Sequence, residues 1–192
     1  MTYLIMNDGY KYQELTLEIE DILDIVPEDG TYDISDIYSF SVKNISFKPW
    51  WKPVKTGFTP IGGDKKAPIP DISLWIGATL VLSSKAHHAL RELLDPHGEL
   101  LPVDCTGKDF YIFNCLELAQ VNEAQSEQIF SEGQIVGIKK LVFDDDDIAG
   151  KAAFKSKYAG CQDVFCNQIL KNTILENKLS GVVFSETLVR EF

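Results

Sequence analysis

The alternation of apolar and polar residues predicts strands in the first third of the chain. Residues 12–22 alternate leucine and isoleucine with glutamate, which is the period-two pattern of a half-buried strand. Residues 38–42 alternate tyrosine, phenylalanine and valine with serine in the same way. We therefore expect residues 1–62 to form a strand-rich N-terminal part, with a separate subdomain there as the alternative. The prolines and glycines that follow predict a linker or exposed loop at 54–68.

The clearest helix follows Ser83 and Ser84, either of which can act as its N-cap. Its apolar residues recur at the spacing of one helical face. These residues are Ala86, Ala89, Leu90, Leu93 and Leu94. The helix should end at Asp95, because the proline that follows disfavours helical geometry in the residue before it.

Other apolar runs predict the remaining strands, and Gly107 marks a turn between two of them. Residues 72–82 fit either one buried strand or a strand and a turn at Gly77. The expected strands cover residues 72–82, 100–103, 110–115, 135–143, 152–154, 164–165 and 182–184. Residues 117–133 are polar and fit no single element. Asn167 should cap a helix through Lys178, with Gly181 closing it. Strands outnumber helices and the two do not alternate regularly, so we predict an α+β fold with a largely antiparallel, mixed sheet.

Length and composition indicate one globular domain spanning residues 1–192. Apolar residues make up 45% of the chain, enough for a substantial core. The N-terminus lacks the basic and apolar regions of a signal peptide, and no apolar run is long enough to span a membrane. We therefore expect a cytoplasmic protein without a membrane partner. Its four cysteines lack zinc-site spacing and should be free, buried thiols.

The net charge of −11 is unevenly distributed along the chain. Residues 1–45 and 101–148 are acidic, whereas residues 46–70 are basic. A strongly acidic protein is a poor partner for nucleic acid, since phosphate binding requires a cationic surface. It can attract a basic protein by electrostatic steering.

No motif predicts a metal, a cofactor or a catalytic centre. The acidic run 144–147 lacks the ligand spacing, central glycine and distal glutamate of a calcium loop, and it more often forms a solvated turn. His87 and His88 are adjacent, so on a helix their imidazoles diverge by about 100°. His97 follows the predicted helix. We therefore expect no metal ion, no cofactor and no catalytic residue.

The pair Trp50-Trp51, between Pro49 and Pro53, allows two interpretations. Tryptophan is common in binding hot spots, so one indole could contact a partner. Flanking prolines more often accompany a structural plug in which the indoles fix a chain crossing.

The order of several sequence blocks from residue 47 onward resembles a family of bacterial immunity proteins. These blocks are Lys-Pro-Trp-Trp-Lys-Pro at 48–53, Ala-Pro-Ile-Pro-Asp at 67–71, Leu-Val-Leu-Ser-Ser-Lys-Ala at 80–86, Gly-Glu-Leu-Leu-Pro at 98–102 and Asp-Phe-Tyr-Ile-Phe-Asn at 109–114. The family was first described from a myxobacterial domain and occurs in polymorphic-toxin and type VI secretion loci. The blocks are architectural, so they identify a fold family rather than a binding site.

The resemblance implies a non-enzymatic protein that binds and occludes one cognate toxin in interbacterial competition. A basic toxin would suit the acidic charge. We expect its binding residues among Trp50, Trp51, Glu123, Glu127, Glu132, Asp144, Asp145, Asp146 and Asp147. A small enzyme with an unrecognised site and a ligand-binding regulatory module remain as alternatives.

Overall fold

A computed structural model describes residues 1–61 and 66–190, and this part of the chain is α+β, as predicted. Its strands are β1 (Thr2–Asn7), β2 (Gln13–Leu15), β3 (Val54–Thr56), β4 (Phe58–Pro60), β5 (Ile72–Leu74), β6 (Thr79–Ser83), β7 (Gly98–Cys105), β8 (Asp109–Cys115), β9 (Glu127–Ser131), β10 (Gln134–Lys140), β11 (Ala153–Phe154), β12 (Phe165–Asn167) and β13 (Val182–Ser185). Its helices are α1 (Ile19–Leu23), α2 (Ile34–Tyr38), α3 (Phe40–Lys43), α4 (Ser84–Leu94) and α5 (Gln168–Glu176).

A five-stranded sheet in the order β3-β7-β8-β6-β5 separates two hydrophobic cores. Its pairings are antiparallel except that β3 runs parallel to β7. Along β6, Leu80 and Leu82 face the core that contains α4 and α5, whereas Val81 faces the core of the N-terminal helices. Along β8, Phe113 faces the core that contains α4 and α5, whereas Ile112 faces the core of the N-terminal helices. The sheet is therefore apolar on both faces, and the predicted strand pair flanking Gly107 is confirmed as the β7–β8 hairpin.

Helix α4 covers one face of this sheet and begins where the sequence predicts. The Ser83 hydroxyl accepts a hydrogen bond from the Ala86 N–H at 3.2 Å, which makes Ser83 the N-cap. Ala86, Leu90 and Leu94 are fully buried on the predicted face. The cap and the apolar face agree, so local and tertiary interactions specify the same helix.

A four-stranded sheet in the order β11-β12-β1-β13 joins the two ends of the chain. Strand β1 lies between β12 and β13 and is antiparallel to both. Leu4 packs with Phe143, Phe154 and Phe165 in a third core, which we call the aromatic core. Because β1 pairs with the last strands and β3 pairs with β7, we propose that the chain is a single domain.

Two of the strand predictions in the N-terminal part are wrong. Residues 38–42 lie in α2 and α3, and the strand predicted over 12–22 is limited to β2 before α1 begins. The side chain of Asp33 accepts a hydrogen bond from the N–H of Asp36 at 2.8 Å, and the side chain of Asp36 accepts one from the N–H of Asp33 at 3.0 Å. This capping box starts α2 and overrides the alternating pattern that follows.

Other boundaries also differ from those predicted. The expected linker 54–68 contains β3 and β4, while its residues 62–65 lie outside the described part. Phe143 is not in β10 but forms an isolated bridge with Val121. Helix α5 ends before Asn177, and Gly181 does not close it. Gly181 instead passes the backbone of β5, where a Cβ atom would lie 2.0 Å from the Ile72 carbonyl oxygen.

Candidate partner-binding surface

The two tryptophans support the sheet rather than extend from it. Trp51 donates its indole N–H to the Pro102 carbonyl oxygen at 2.9 Å, and its ring stacks on Phe47 with centroids 6.1 Å apart. Trp50 packs on Phe47 at 5.0 Å and on Tyr32 at 5.8 Å. Both side chains are half-buried. Their contacts match the structural-plug interpretation, and a role in partner binding stays a prediction.

In the acidic run 144–147, Asp144 and Asp147 accept hydrogen bonds, and all four residues except Asp147 are exposed. Asp144 accepts hydrogen bonds from the N–H groups of Asp146 and Asp147, which closes a turn. Asp147 accepts from the Gln120 N–H and from the Lys151 ammonium, each at 2.8 Å. The hydrogen bond from Lys151 lowers the pKa of Asp147. The side chains of Asp145 and Asp146 are exposed.

Glu123 and Asp147, which lie far apart in sequence, meet at one surface hollow. The hollow has a volume of ≈ 620 Å³ and is also lined by Gln120, Lys157 and Tyr158. Its position beside the acidic turn brings part of the predicted partner-binding set together. A partner contact at this hollow stays a prediction.

Glu127 and Glu132 belong to a hairpin formed by β9 and β10. Glu127 forms an ion pair with Lys139 at 2.9 Å across the two strands. Glu132 and Gly133 form the two-residue turn, with φ angles of 50° and 81°. Two positive φ values are typical of a type I′ turn, in which glycine is favoured. The segment that sequence reasoning left unassigned thus contains the first strand of this hairpin.

The tip of the β9–β10 hairpin carries a group of exposed apolar side chains that sequence reasoning did not select. Its members are Ile129, Phe130, Ile135 and Val136, which are 41%, 62%, 57% and 56% exposed. Within the described part of the chain, β9 and β10 pair only with each other. Ile138 near the base packs against the aromatic core. A weak signal was present in the sequence, since a glycine turn lies between two short apolar runs.

The potential nucleophiles lie in surroundings that disfavour reactivity. All four cysteines are free and buried, as predicted. Burial raises the pKa of Cys105 to about 11 and those of Cys115 and Cys166 to about 12, and it also raises the pKa of Cys161. Because a thiolate is the reactive form, these thiols are poor nucleophiles near neutral pH.

Two of the three histidines, His87 and His97, also have structural contacts. His87 stacks on Tyr111 with centroids 3.7 Å apart. His97 accepts the Ala152 N–H at its Nε2 at 3.0 Å, while its Nδ1 lies 3.4 Å from the Glu117 carboxylate. Within residues 1–61 and 66–190, no group of three His, Cys, Asp or Glu side chains is arranged to hold a metal ion. No helix in these ranges has the length and apolarity to cross a membrane.

Two buried charged residues were missed because their partners are distant in sequence. The Glu99 carboxylate, 2% exposed, accepts from the backbone N–H groups of Phe47 and Lys48 and from the Asn114 amide, at 2.7 to 2.9 Å. Lys155, with no exposed surface, donates to the Ser41 carbonyl oxygen at 2.7 Å, and burial lowers its pKa. Glu99 connects β7 to the segment that follows α3, and Lys155, directly after β11, connects to α3, so both have a structural role.

No curated protein matches the chain. The sequence profile of the immunity protein family Imm11 matches residues 33–188. This range covers most of the chain and includes the five-stranded sheet, α4, the β9–β10 hairpin and α5. The chain therefore belongs to the immunity protein family Imm11.

Proposed function

We propose that this protein neutralises one cognate toxin by binding it stoichiometrically and blocking its active site or its substrate path. The observation that carries the proposal is the family match over residues 33–188. An immunity protein of this kind needs a stable fold and a complementary surface, but no catalytic residues. We place it in the cytoplasm, where it would protect the producing cell from a toxin of a polymorphic or type VI secretion system.

The contacts of the reactive side chains support binding rather than catalysis. The cysteines are buried thiols with raised pKa values, and His97 is held between a backbone N–H and a carboxylate. The segment 117–147 instead exposes mainly carboxylate and apolar side chains, such as those of Glu132 and Phe130. Tight inhibitor complexes use a few desolvated apolar anchors surrounded by a polar rim.

Charge favours a basic toxin. Residues 117–147 contain eight carboxylates and two lysines, so this segment supplies −6 of the total charge of −11. Complementary charge accelerates encounter and disfavours wrong partners. We therefore propose that Glu123, Glu127, Glu132 and the acidic run 144–147 lie in or beside the interface.

The test is co-expression with the C-terminal domain encoded by the gene directly upstream. We expect growth to be rescued and the two polypeptides to co-purify as a complex of fixed ratio. A catalytically inactive toxin variant is the control for expression. Rescue at protein levels far below those of the toxin, without a stable complex, would contradict stoichiometric inhibition and indicate an enzymatic activity instead.

A further inference from the structure

We infer that the tip of the β9–β10 hairpin inserts into a cleft of the toxin that has an apolar interior and a basic rim. The inference rests on the proposed function and adds the contact surface and the mode of binding. It starts from the four exposed apolar side chains at the tip, Ile129, Phe130, Ile135 and Val136. Clustered exposed apolar groups mark interaction sites more often than scattered ones do.

Both faces of the hairpin are apolar, and this determines the mode of contact. Ile129 and Phe130 are adjacent in β9, so their side chains point to opposite faces. Phe130 lies opposite Ile135, whereas Ile129 lies opposite Gly137, which has no side chain to cover it. A partner lying flat on the hairpin would cover one face and leave the other in water. Insertion into a cleft covers both.

The base of the hairpin is fixed while its tip is not covered by the described part of the chain. Ile138 packs on the aromatic core, and the Glu127–Lys139 ion pair joins the strands near the base. An isolated two-stranded hairpin is marginally stable in water, so its apolar tip gains little by folding alone. A cleft would bury these side chains without unfolding any other element.

Charge identifies the occupant as a basic protein rather than a second copy of this chain. Within the segment 117–147 the hairpin itself is neutral, whereas its flanks, residues 117–126 and 141–147, carry six carboxylates and no lysine. Two such segments brought together would repel each other, and like charges across an interface are unfavourable. A cleft with a basic rim is complementary to the carboxylates that flank the base of the hairpin, among them Glu123 and the acidic run 144–147.

The test measures affinity for the catalytically inactive C-terminal domain of the upstream gene product. Phe130→Thr and Ile129→Thr remove apolar surface from opposite faces while keeping residues that favour strands. We expect each to weaken binding about 30-fold, the effect of losing a hot-spot side chain. Ile169→Ala is the matched control, because Ile169 is 61% exposed on α5, and its affinity should change less than about twofold.

A chemical variant tests the same point without altering the strands. Gln134→Cys places an accessible thiol beside the turn, and a bulky maleimide can be attached to it after folding, since the four native cysteines are buried. The label should abolish the complex, whereas the same label at Glu176→Cys on α5 should leave it intact. Circular dichroism checks that each protein is folded.

The outcomes separate the two proposals. If the wild-type protein neither binds nor protects, the proposed function fails. If it protects while Phe130→Thr, Ile129→Thr and the labelled Gln134→Cys all bind normally, the toxin is neutralised through another surface and the inference is wrong. Loss of affinity from only one of the two threonine variants means flat docking, which also overturns insertion.

Discussion

Apolar side chains on the five-stranded sheet are buried on both faces, whereas those at the tip of the β9–β10 hairpin are exposed on both. In the sheet, Val81 and Leu82 are adjacent and each reaches a different core. In the hairpin, Ile129 and Phe130 are adjacent and remain 41% and 62% exposed. The same strand geometry thus produces a folding core in one region and an uncovered surface in the other. Packing explains the first, and binding is our proposed explanation for the second.

The comparison predicts that variants of the covered region lose stability and that variants of the hairpin lose affinity. The largest expected loss of stability is for Glu99→Ala. It removes the acceptor for the buried N–H of Phe47, for the half-buried N–H of Lys48 and for the Asn114 amide. We expect the free energy of unfolding to fall by about 3–5 kcal/mol, as measured by denaturant titration. Glu99→Gln keeps one acceptor and should cost less. A loss below about 1 kcal/mol for the alanine variant would contradict the assignment of Glu99 as a structural centre.

Leu90→Ala should produce the next largest loss. Leu90 is fully buried between α4 and the sheet, so removing its side chain leaves a cavity that costs about 2–5 kcal/mol. Leu175→Ala is the matched control, because Leu175 is 55% exposed on α5 and should change stability by less than about 0.5 kcal/mol. Equal losses of unfolding free energy for the two variants would contradict the assignment of Leu90 as a core residue and Leu175 as a surface residue.

Asp71 tests the covered region through pH. Its carboxylate accepts hydrogen bonds from Ser83, Lys85 and the backbone and hydroxyl of Ser180. Burial alone would raise the pKa of Asp71, but the hydrogen bonds from Ser180, Lys85 and Ser83 leave it below its ordinary value. The folded state therefore holds the proton less tightly than the unfolded state. Its stabilisation is present above the unfolded pKa and is lost as pH falls through the folded pKa.

Asp71→Asn should accordingly lower stability near neutral pH and flatten the loss of stability on acidification. Unfolding measured from about pH 6 to pH 2 provides the check. Parallel stability profiles for the wild type and the variant would show that Asp71 does not contribute through its charge.

The smallest expected effect on stability is for Asp145→Asn combined with Asp146→Asn. Both side chains are exposed, so the fold should keep its stability, unlike variants of Asp144 or Asp147, which accept hydrogen bonds. If this surface attracts a basic toxin, association should slow about threefold at low salt with little change in dissociation. Asp24→Asn with Glu28→Gln removes the same charge near α1 and is the control. Identical association rates for both double variants would mean that position on the surface is irrelevant.

The sequence was sufficient for elements whose signals are local. Ser83 caps α4 through the adjacent turn, and Gly107, with φ of 80°, forms the turn between β7 and β8. The order of blocks after residue 47 was sufficient for the family. The cap and the turn each depend on contacts within a few residues. The family is indicated by the order of short blocks between residues 48 and 114.

Elements decided by distant contacts were not predictable in the same way. The alternation at 38–42 predicted a strand. In the structure, Phe40 is buried against Phe47 and Trp75, whereas Tyr38 is 52% exposed. Short helices can place these two side chains in this way, so the alternation alone did not determine the element. Glu99 lies 52 positions after Phe47 and 51 positions after Lys48, whose backbone N–H groups it binds. Exposure of the hairpin tip follows from the absence of a covering element in the described part of the fold, and no local pattern encodes that.

Titration of purified toxin with this protein tests the central claim of stoichiometric occlusion most directly. Toxin activity on its own substrate is measured while the protein is added in steps, at toxin concentrations well above the dissociation constant. The account predicts a linear fall in activity that ends at one fixed molar equivalent and a matching complex by analytical ultracentrifugation. Complete inactivation by a small fraction of an equivalent, increasing with time, would contradict it.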